Sequence, residues 1–441
     1  MGKPQVFDDQ EQERVFERVA AVDVAKASGV VCLRLPHPAQ PAGRRSQVWE
    51  VPATMHAVTE LAGRLAAEGV QKVTLESTSD YWRIWFYVRE EAGLAVQLVN
   101  ASQARNLPGR PKTDKLDAMR LARLTEMGLL RPSFVPPAEI RVLRGYARAR
   151  TRLTRDRTRC WARMEKLLED ALIKVSAVAS KLTTRSVQDM IRAMIAGQRD
   201  PQVLAGLART RMKAGHDALA EALAGLFTDH HAELAQLLLD QIAFLDTQIA
   251  RLTMLTGEQL ASIPAAWGID ADGPSPGAIP LPVIARLDEV PGVGAELAAS
   301  IISETGLDMT RFPSPGHLAS WAGLCGRTIQ SGARTRTGKG HGNAWLRGYL
   351  GRAAIAAART STFLGERYRR LARRRGAARA QVAVARSILI IIWHLLNDPT
   401  ARYHDLGPGH YQARTDKSRK ARNHIRQLEA LGYTVTITQA A

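Results

Sequence analysis

Between Arg18 and Asn100 the sequence changes its hydrophobic period repeatedly, and this restricts the fold more than any other feature. The runs "RVAAVDVA", "GVVCLRLP" and "SQVWEVP" are short and β-rich, with a Lys26-Ala27-Ser28-Gly29 turn between the first two; such runs are strands. "HAVTELAGRLAAEG" follows with helical spacing, "KVTLE" returns to a strand, and after a second helical stretch "LAVQLV" supplies a fifth. Three strands in a meander, then helix, strand, helix, strand, make a mixed sheet with helices packed on it, an α/β unit.

After Asp114 the pattern is almost wholly helical. Leu238, Ile242, Leu245, Ile249 and Leu252 alternate spacings of four and three, the seam of a helical hairpin or coiled coil. Such a seam serves oligomerisation, or an arm that spans a nucleic-acid assembly, or packing within the chain. "PAAWGIDADGPSPGAIPLP", from Pro264 to Pro282, reads as a linker or exposed loop. Beyond it, Pro291-Gly292-Val293-Gly294 separates two helical patterns and resembles a helix-hairpin-helix, in which Gly292 and Gly294 would let backbone N–H groups face a phosphate. The longest apolar run, Ser387 to Leu396, is too short to span a bilayer and reads as a buried helix, and the N-terminus has no apolar signal core. The expected organisation is an N-terminal extension (1–17), the α/β domain (18–150), a helical or coiled-coil region (151–263), the linker (264–282), a mostly helical C-terminal domain (283–400) and a basic tail (401–441).

With 61 Lys and Arg against 42 Asp and Glu, the chain carries a net charge of +19, which points to a polyanionic partner, nucleic acid first. Concentrated charge in "ERYRRLARRRGAARAQ" and "KSRKARNHIRQ" fits backbone-contact surfaces. Cys32, Cys160 and Cys325 form no CxxC pair, so neither a disulfide framework nor a zinc site is indicated, and a reducing interior is the natural setting. His230-His231 lacks a third ligand and fits a surface or packing role.

Against this charge, four acids stand out. Asp23 lies among apolar neighbours in the first strand, where a carboxylate needs a cation or hydrogen-bond partner. Glu76 closes the fourth strand, and in a sheet of this order the ends of the first and fourth strands can lie side by side. In "GRPKTDKLDAMRLA", Asp114 and Asp117 share one face of a helix that can pack on the same sheet. Four hard oxygen ligands beside a polyanion predict Mg²⁺ or Mn²⁺, and paired ions stabilise attacking and leaving oxygens in phosphodiester exchange. Arg105, Arg110, Lys112 and Lys115 would hold the phosphate backbone nearby.

At these residues the chain resembles the DEDD transposases of the IS-one-ten insertion-sequence family. The matching pieces are "VDVAK", "LEST" and "KTDKLDAMRLA", then "VPGVGAELAASIISETG", "FPSPGHLASWAGL" and "SGARTRTGKGHGNAWLRGYL", in family order from about Val19 to Leu396. The resemblance implies a RuvC/RNase H-like catalytic domain, a helical insertion and a C-terminal domain whose serine attacks DNA, with a structured bridge RNA guiding donor and target. By motif that serine is Ser331 in "QSGARTRTG", and Ser314 and Ser320 are local rivals. Where the family often has serine, two glycines and lysine, this chain has Ser331, Gly332, Ala333 and Arg334; arginine keeps the charge and can grip phosphate with two donors. Arg334, Arg336, Lys339, Asn343 and Arg347 would bind phosphate near the nucleophile or hold guide RNA. Strand exchange implies a dimer or tetramer, with Ser331 acting in cis or in trans, in the nucleoid-bearing cytoplasm of a bacterium.

Three rival readings follow from the same residues. A RuvC-like, Holliday-junction type nuclease would direct water with the same acids. A non-catalytic nucleic-acid scaffold would not need them. A tyrosine recombinase would use Tyr403 or Tyr411 with His404 and His410 and leave the four acids without work.

Overall fold

The computed structural model describes residues 15–77, 79–100, 113–209, 212, 214–267, 281–332, 334–338, 342–413 and 417–436. The chain divides into two compact units, Met1–Val135 and Pro136–Ala441.

In the first unit, strands β1 (Val19–Val24), β2 (Ser28–His37), β3 (Gln40–Pro52), β4 (Lys72–Ser77) and β5 (Val96–Asn100) form one sheet in the order β3-β2-β1-β4-β5. The meander pairs antiparallel, while β1–β4 and β4–β5 are parallel. This is the mixed sheet expected from the order of periods. β1 is central, and Asp23 is its one residue that is not fully buried.

Alternation along each strand sends side chains to two opposite cores. Ala20, Val22, Val31, Leu33, Val73 and Leu75 face helices α1 (Met55–Ala67) and α2 (Trp82–Glu91), meeting Val58, Leu61, Leu65 and Trp85. On the other face Ala21, Cys32 and Val99 meet Ala118, Leu121 and Ala122 of α3 (Asp114–Glu126). Alanines on both sides let α3 sit close to the strands. Thr113 starts α3 as its N-cap, accepting from the Leu116 N–H at 3.4 Å. The result is three layers, α/β/α, which with the helical second unit fits the RuvC/RNase H-like architecture implied by the resemblance.

The second unit is built on α4 (Ala138–Asp170) and α9 (Asp229–Ala261), each 33 residues and so about 50 Å long. They pack on each other along the predicted seam, where Ile242 and Leu245 meet Cys160. Packing within the chain therefore uses that seam. Four short helices, α5 (Val175–Val178), α6 (Arg185–Ile195), α7 (Pro201–Ala205) and α8 (His216–Leu223), enclose a core with Met164, Leu168 and Ala235 from the long pair and Phe227 just before α9. His231 belongs to this packing: it is buried, makes a capping box with Thr228 and lies 3.3 Å from Asp170.

Then follow α10 (Val283–Asp288), α11 (Ala295–Thr305), α12 (Pro315–Trp321), a two-stranded hairpin of β6 (Arg327–Ser331) and β7 (Arg334–Gly338), α13 (Ala344–Ala357), α14 (Phe363–Arg375), α15 (Ala377–Asn397), α16 (His410–Ala413) and α17 (Lys417–Glu429). The hairpin was not expected from the sequence, because "RTIQSGARTRTG" has no apolar face to give it a period. The apolar run at Ser387 extends into the 21-residue α15, long and apolar enough by composition to cross a membrane. Length thus fails to exclude a membrane span. The buried-helix reading holds, because Val384, Ala385, Ile388, Leu389 and Ile392 sit in the core against neighbouring helices.

Candidate active site and nucleic-acid interface

The last paired residues of β1 and β4 are Val22 and Leu75. One residue further, Asp23 and Glu76 stand in step on neighbouring parallel strands, whose axes are about 5 Å apart. Both follow the alternation of Ala21 and Thr74 and so face α3. Glu76 is 7% exposed.

α3 runs against β1. At its C-terminal end Glu126 meets Arg34 at 2.5 Å, and Arg34 pairs with Val19 at the start of β1. The N-terminal turn with Asp114 and Asp117 therefore points toward the strand ends that carry Asp23 and Glu76. A hydroxyl contact between Thr125 and Thr74, 2.7 Å, gives the level. From it Glu76 lies about 7 Å along the strand and Asp117 about 12 Å along the helix, so Asp117 stands roughly one helical turn beyond the strand acids and Asp114 nearly another. Asp117 is half-buried and Asp114 exposed. The four predicted acids thus share one end of one sheet face. Among the described residues no three His, Cys, Asp or Glu side chains are gathered into a metal-binding group. The donor set fits a hard divalent cation in kind, since it offers carboxylate oxygens and neither sulfur nor imidazole.

Of the predicted phosphate contacts in this unit, Lys115 is exposed on α3, and Arg105, Arg110 and Lys112 lie outside the described residues. Cys32, beneath α3, is a packing residue: burial pushes its thiol up to about 11, opposed in part by Arg34.

In the second unit, Ser331 pairs with Arg334 as the last rung of β6–β7 before a two-residue turn, and Gly332 supplies its positive φ of 57°. Ser331 and Arg336 are described by their backbone alone, Arg334 is exposed, and Lys339 lies outside the described residues. The rivals have local explanations. Ser314 caps α12 and contacts His317 Nδ1 at 2.8 Å, and Ser320 is an exposed residue of α12.

The two glycines of the helix-hairpin-helix differ. Gly292 has φ 87°, and a Cβ there would lie 2.3 Å from the Ala353 carbonyl oxygen, so it is required for the turn and for contact with α13. Gly294 is exposed at the start of α11 with nothing within 4 Å of an added Cβ. Of the two, Gly294 has the space beside it, and its carbonyl accepts from the Leu297 and Ala298 N–H groups.

Asn343 caps α13, accepting from the Trp345 and Leu346 N–H groups at 3.0 and 3.1 Å, and donates to Glu304 at 2.6 Å. Glu304 is fully buried and also takes two hydrogen bonds from Arg148, at 2.7 and 2.8 Å. Arg144 donates to the Ser303 and Glu304 carbonyl oxygens at 2.9 and 2.8 Å, closing the C-terminal end of α11. Sequence reasoning missed this network. Its signal was present as arginines repeating at helical spacing in "RGYARARTRLTR". Arg347 is half-buried on α13.

The tyrosines of the rival recombinase reading are occupied. Tyr403 donates to Asp405 at 3.1 Å, and burial, with that carboxylate, raises its phenol further from ionisation. Tyr411 accepts from Arg367 at 2.9 Å and stacks on Phe363.

Residues 20–173 match a family described as a transposase of the DEDD IS110 type, and residues 284–369 match one described as the transposase IS116/IS110/IS902 family. The chain belongs to the IS110 transposases. This is the IS-one-ten family indicated by the motifs, and the matched segments include Asp23, Glu76, Asp114, Asp117 and Ser331. A solved structure described as Thermus thermophilus RuvC is similar at 14% identity, over 26% of this chain and 99% of that one, with a TM-score of 0.20. Comparison with curated proteins finds no match. As an insertion-sequence transposase the protein is an enzyme that acts on DNA, and its DEDD type implies dependence on a divalent metal.

Proposed function

We propose that this transposase cuts and rejoins DNA through a covalent serine intermediate, with Ser331 as nucleophile and Asp23, Glu76, Asp114 and Asp117 as ligands for Mg²⁺ or Mn²⁺. The observation that carries the reading is the presence of all four acids at one end of one sheet face. Bound there, divalent ions supply charge stabilisation for the attacking and leaving oxygens. The Ser331 hydroxyl attacks a backbone phosphorus. A serine oxygen–phosphorus bond forms as the bond to one sugar oxygen breaks, and that oxygen leaves as a hydroxyl after taking a proton. The phosphoserine keeps the ester's energy, so a second sugar hydroxyl can displace the serine and restore the chain. Arg334, two positions past the turn glycine, offers a planar fork for the phosphate oxygens. Gly294, Arg336, Lys339 and Arg347, with Arg105, Arg110, Lys112 and Lys115 before and at α3, extend the backbone contacts.

Within the same reading, a structured guide RNA from the element pairs with donor and target DNA, and a dimer or tetramer brings two catalytic sites to each crossover. The net charge of +19 supports a large polyanionic assembly.

The test is trapping on nicked element-end DNA. The wild-type protein is expected to migrate as a covalent protein–DNA adduct, which Ser331→Ala and metal chelation both abolish. Metal-dependent cutting that survives Ser331→Ala replaces this reading with a RuvC-like nuclease that uses water. For the guide, RNA bound to protein purified from its native host is sequenced. A discrete transcript from beside the gene supports guidance, and random cellular RNA opposes it.

A further inference from the structure

Along one face of α4, Arg144, Arg148, Arg152 and Arg155 recur at spacings of four, four and three, which brings them into one stripe. Like charges at this spacing repel, so each needs a reason to be there. The first two have one inside the protein, since Arg144 closes the end of α11 and Arg148 pairs with buried Glu304. The next two do not. Arg152 and Arg155 are exposed, and among the described residues their contact is with one indole, that of Trp345, whose ring centre lies 5.4 and 5.2 Å from their guanidinium carbons. Arg148 approaches the same ring at 5.3 Å.

A guanidinium held over an aromatic face keeps its N–H donors, which lie in its own plane, free for another acceptor. The indole thus orders two cations without neutralising them. The frame beneath is rigid: the Thr151 and Tyr349 hydroxyls, both buried, meet at 3.2 Å and fix α4 against α13. Arg352, one turn beyond Tyr349, adds to the same positive field; burial lowers its pKa and the nearby Arg150 and Arg155 contribute in the same direction. Trp345 follows Asn343, the cap of α13, by two residues, and Asn343 lies five residues after the end of β7. Trp345 is thus seven residues past β7, which puts it within about 25 Å of the base of the hairpin by chain length.

We propose that Arg152 and Arg155, ordered by Trp345, form a clamp for two phosphates of a polynucleotide backbone. The clamp rests on the reading of this chain as a strand-transfer enzyme and assigns it a backbone site outside the hairpin. Phosphodiester is the ligand chemistry, and DNA and guide RNA are its two possible sources.

The experiment measures equilibrium binding of the full-length protein to labelled random-sequence duplex DNA and to labelled single-stranded RNA across a salt series. Each phosphate contact contributes about 0.9 to the slope of log affinity against log salt for duplex and about 0.7 for a single strand. For Arg152→Gln/Arg155→Gln we expect the slope to fall by about 1.8 on DNA if DNA is the occupant, or by about 1.4 on RNA if RNA is. Trp345→Ala is expected to weaken binding to the same polymer, with Trp345→Phe restoring it. The double arginine variant changes exposed side chains and keeps the fold, which an unchanged melting curve verifies even if Trp345→Ala unfolds. Unchanged slopes on both polymers overturn the clamp. Covalent trapping by Ser331, scored separately on nicked DNA, reports on the proposed chemistry and not on this site.

Discussion

Helix α3 carries acids at both ends, and the two ends are built differently. At its C-terminal end Glu126 is 2% exposed and held by Arg34 and Arg44. At its N-terminal end Asp114 and Asp117 have no ion pair among the described residues. The helix dipole explains the asymmetry. A carboxylate near the C-terminus faces the negative end and is unfavourable, so Glu126 is tolerable only with cations beside it, whereas the N-terminal acids gain about 0.3–1 kcal/mol from the dipole alone. One end is closed electrostatically by the protein, and the other carries the acids to which the proposed function assigns a metal ion.

The severest way to break this contrast is to remove the partner acid. Glu126→Gln leaves Arg34 and Arg44 without their buried carboxylate and is expected to cost about 3–5 kcal/mol, read from urea midpoints. Asp117→Asn is expected to stay within about 0.5 kcal/mol while abolishing DNA cleavage. Equal losses from the two would make the N-terminal acids structural and end the comparison. Next in size, Mg²⁺ at a hundredfold excess over its dissociation constant should stabilise the wild type by about 2.7 kcal/mol, seen as a rise in Tm, and Asp23→Asn/Glu76→Gln should erase that rise.

Arg89 offers the opposite case, a buried cation with no ion pair among the described residues. It is fully buried, its Nη1 donates to the Trp85 carbonyl oxygen at 2.7 Å, and its Nε and Nη2 have no hydrogen-bond acceptor among the described residues. Burial pulls its pKa down to about 9. Because the folded value is lowered, the folded state holds fewer protons above that pH, so the cost of burial is carried in full at neutrality and eases only above about 9. Arg89→Met is therefore expected to stabilise the protein at neutral pH, by about 2 kcal/mol in thermal unfolding. The smallest effect is at Glu289, whose hydrogen bond from Arg402 lowers its pKa and whose carboxylate also accepts from the Tyr403 N–H at 3.0 Å. A depressed acid stabilises above its unfolded pKa and loses that contribution as pH falls through the folded one. Acidification below the ordinary carboxylate range should lower the protection factor of the Tyr403 amide, relative to its intrinsic exchange rate at the same pH, with the core still protected.

What the sequence revealed and what it hid divide along the same physical lines. The sheet was readable because period two and period 3.6 differ over a few residues, and Asp23 because a carboxylate is conspicuous between valines. Glu126 and Glu304 were not readable as buried acids, since on a helix their letters look like solvated charges until distant arginines meet them. The arginine stripe of α4 carried its helical spacing openly, yet the spacing alone cannot tell Arg148, paired with Glu304, from Arg155, held by an indole. The seam on α9 was visible as a seam, but its partner is chosen by tertiary packing. The β6–β7 hairpin gave no signal because its sequence has no alternating apolar residues.

That hairpin has a consequence for timing. Two short strands alone are marginally stable in water, and this pair has no third strand among the described residues. The two strands therefore draw little order from each other, and a nucleic-acid strand laid along them would supply contacts they lack. Under the serine chemistry proposed above, such a design would couple the order of the attacking group to the arrival of a strand.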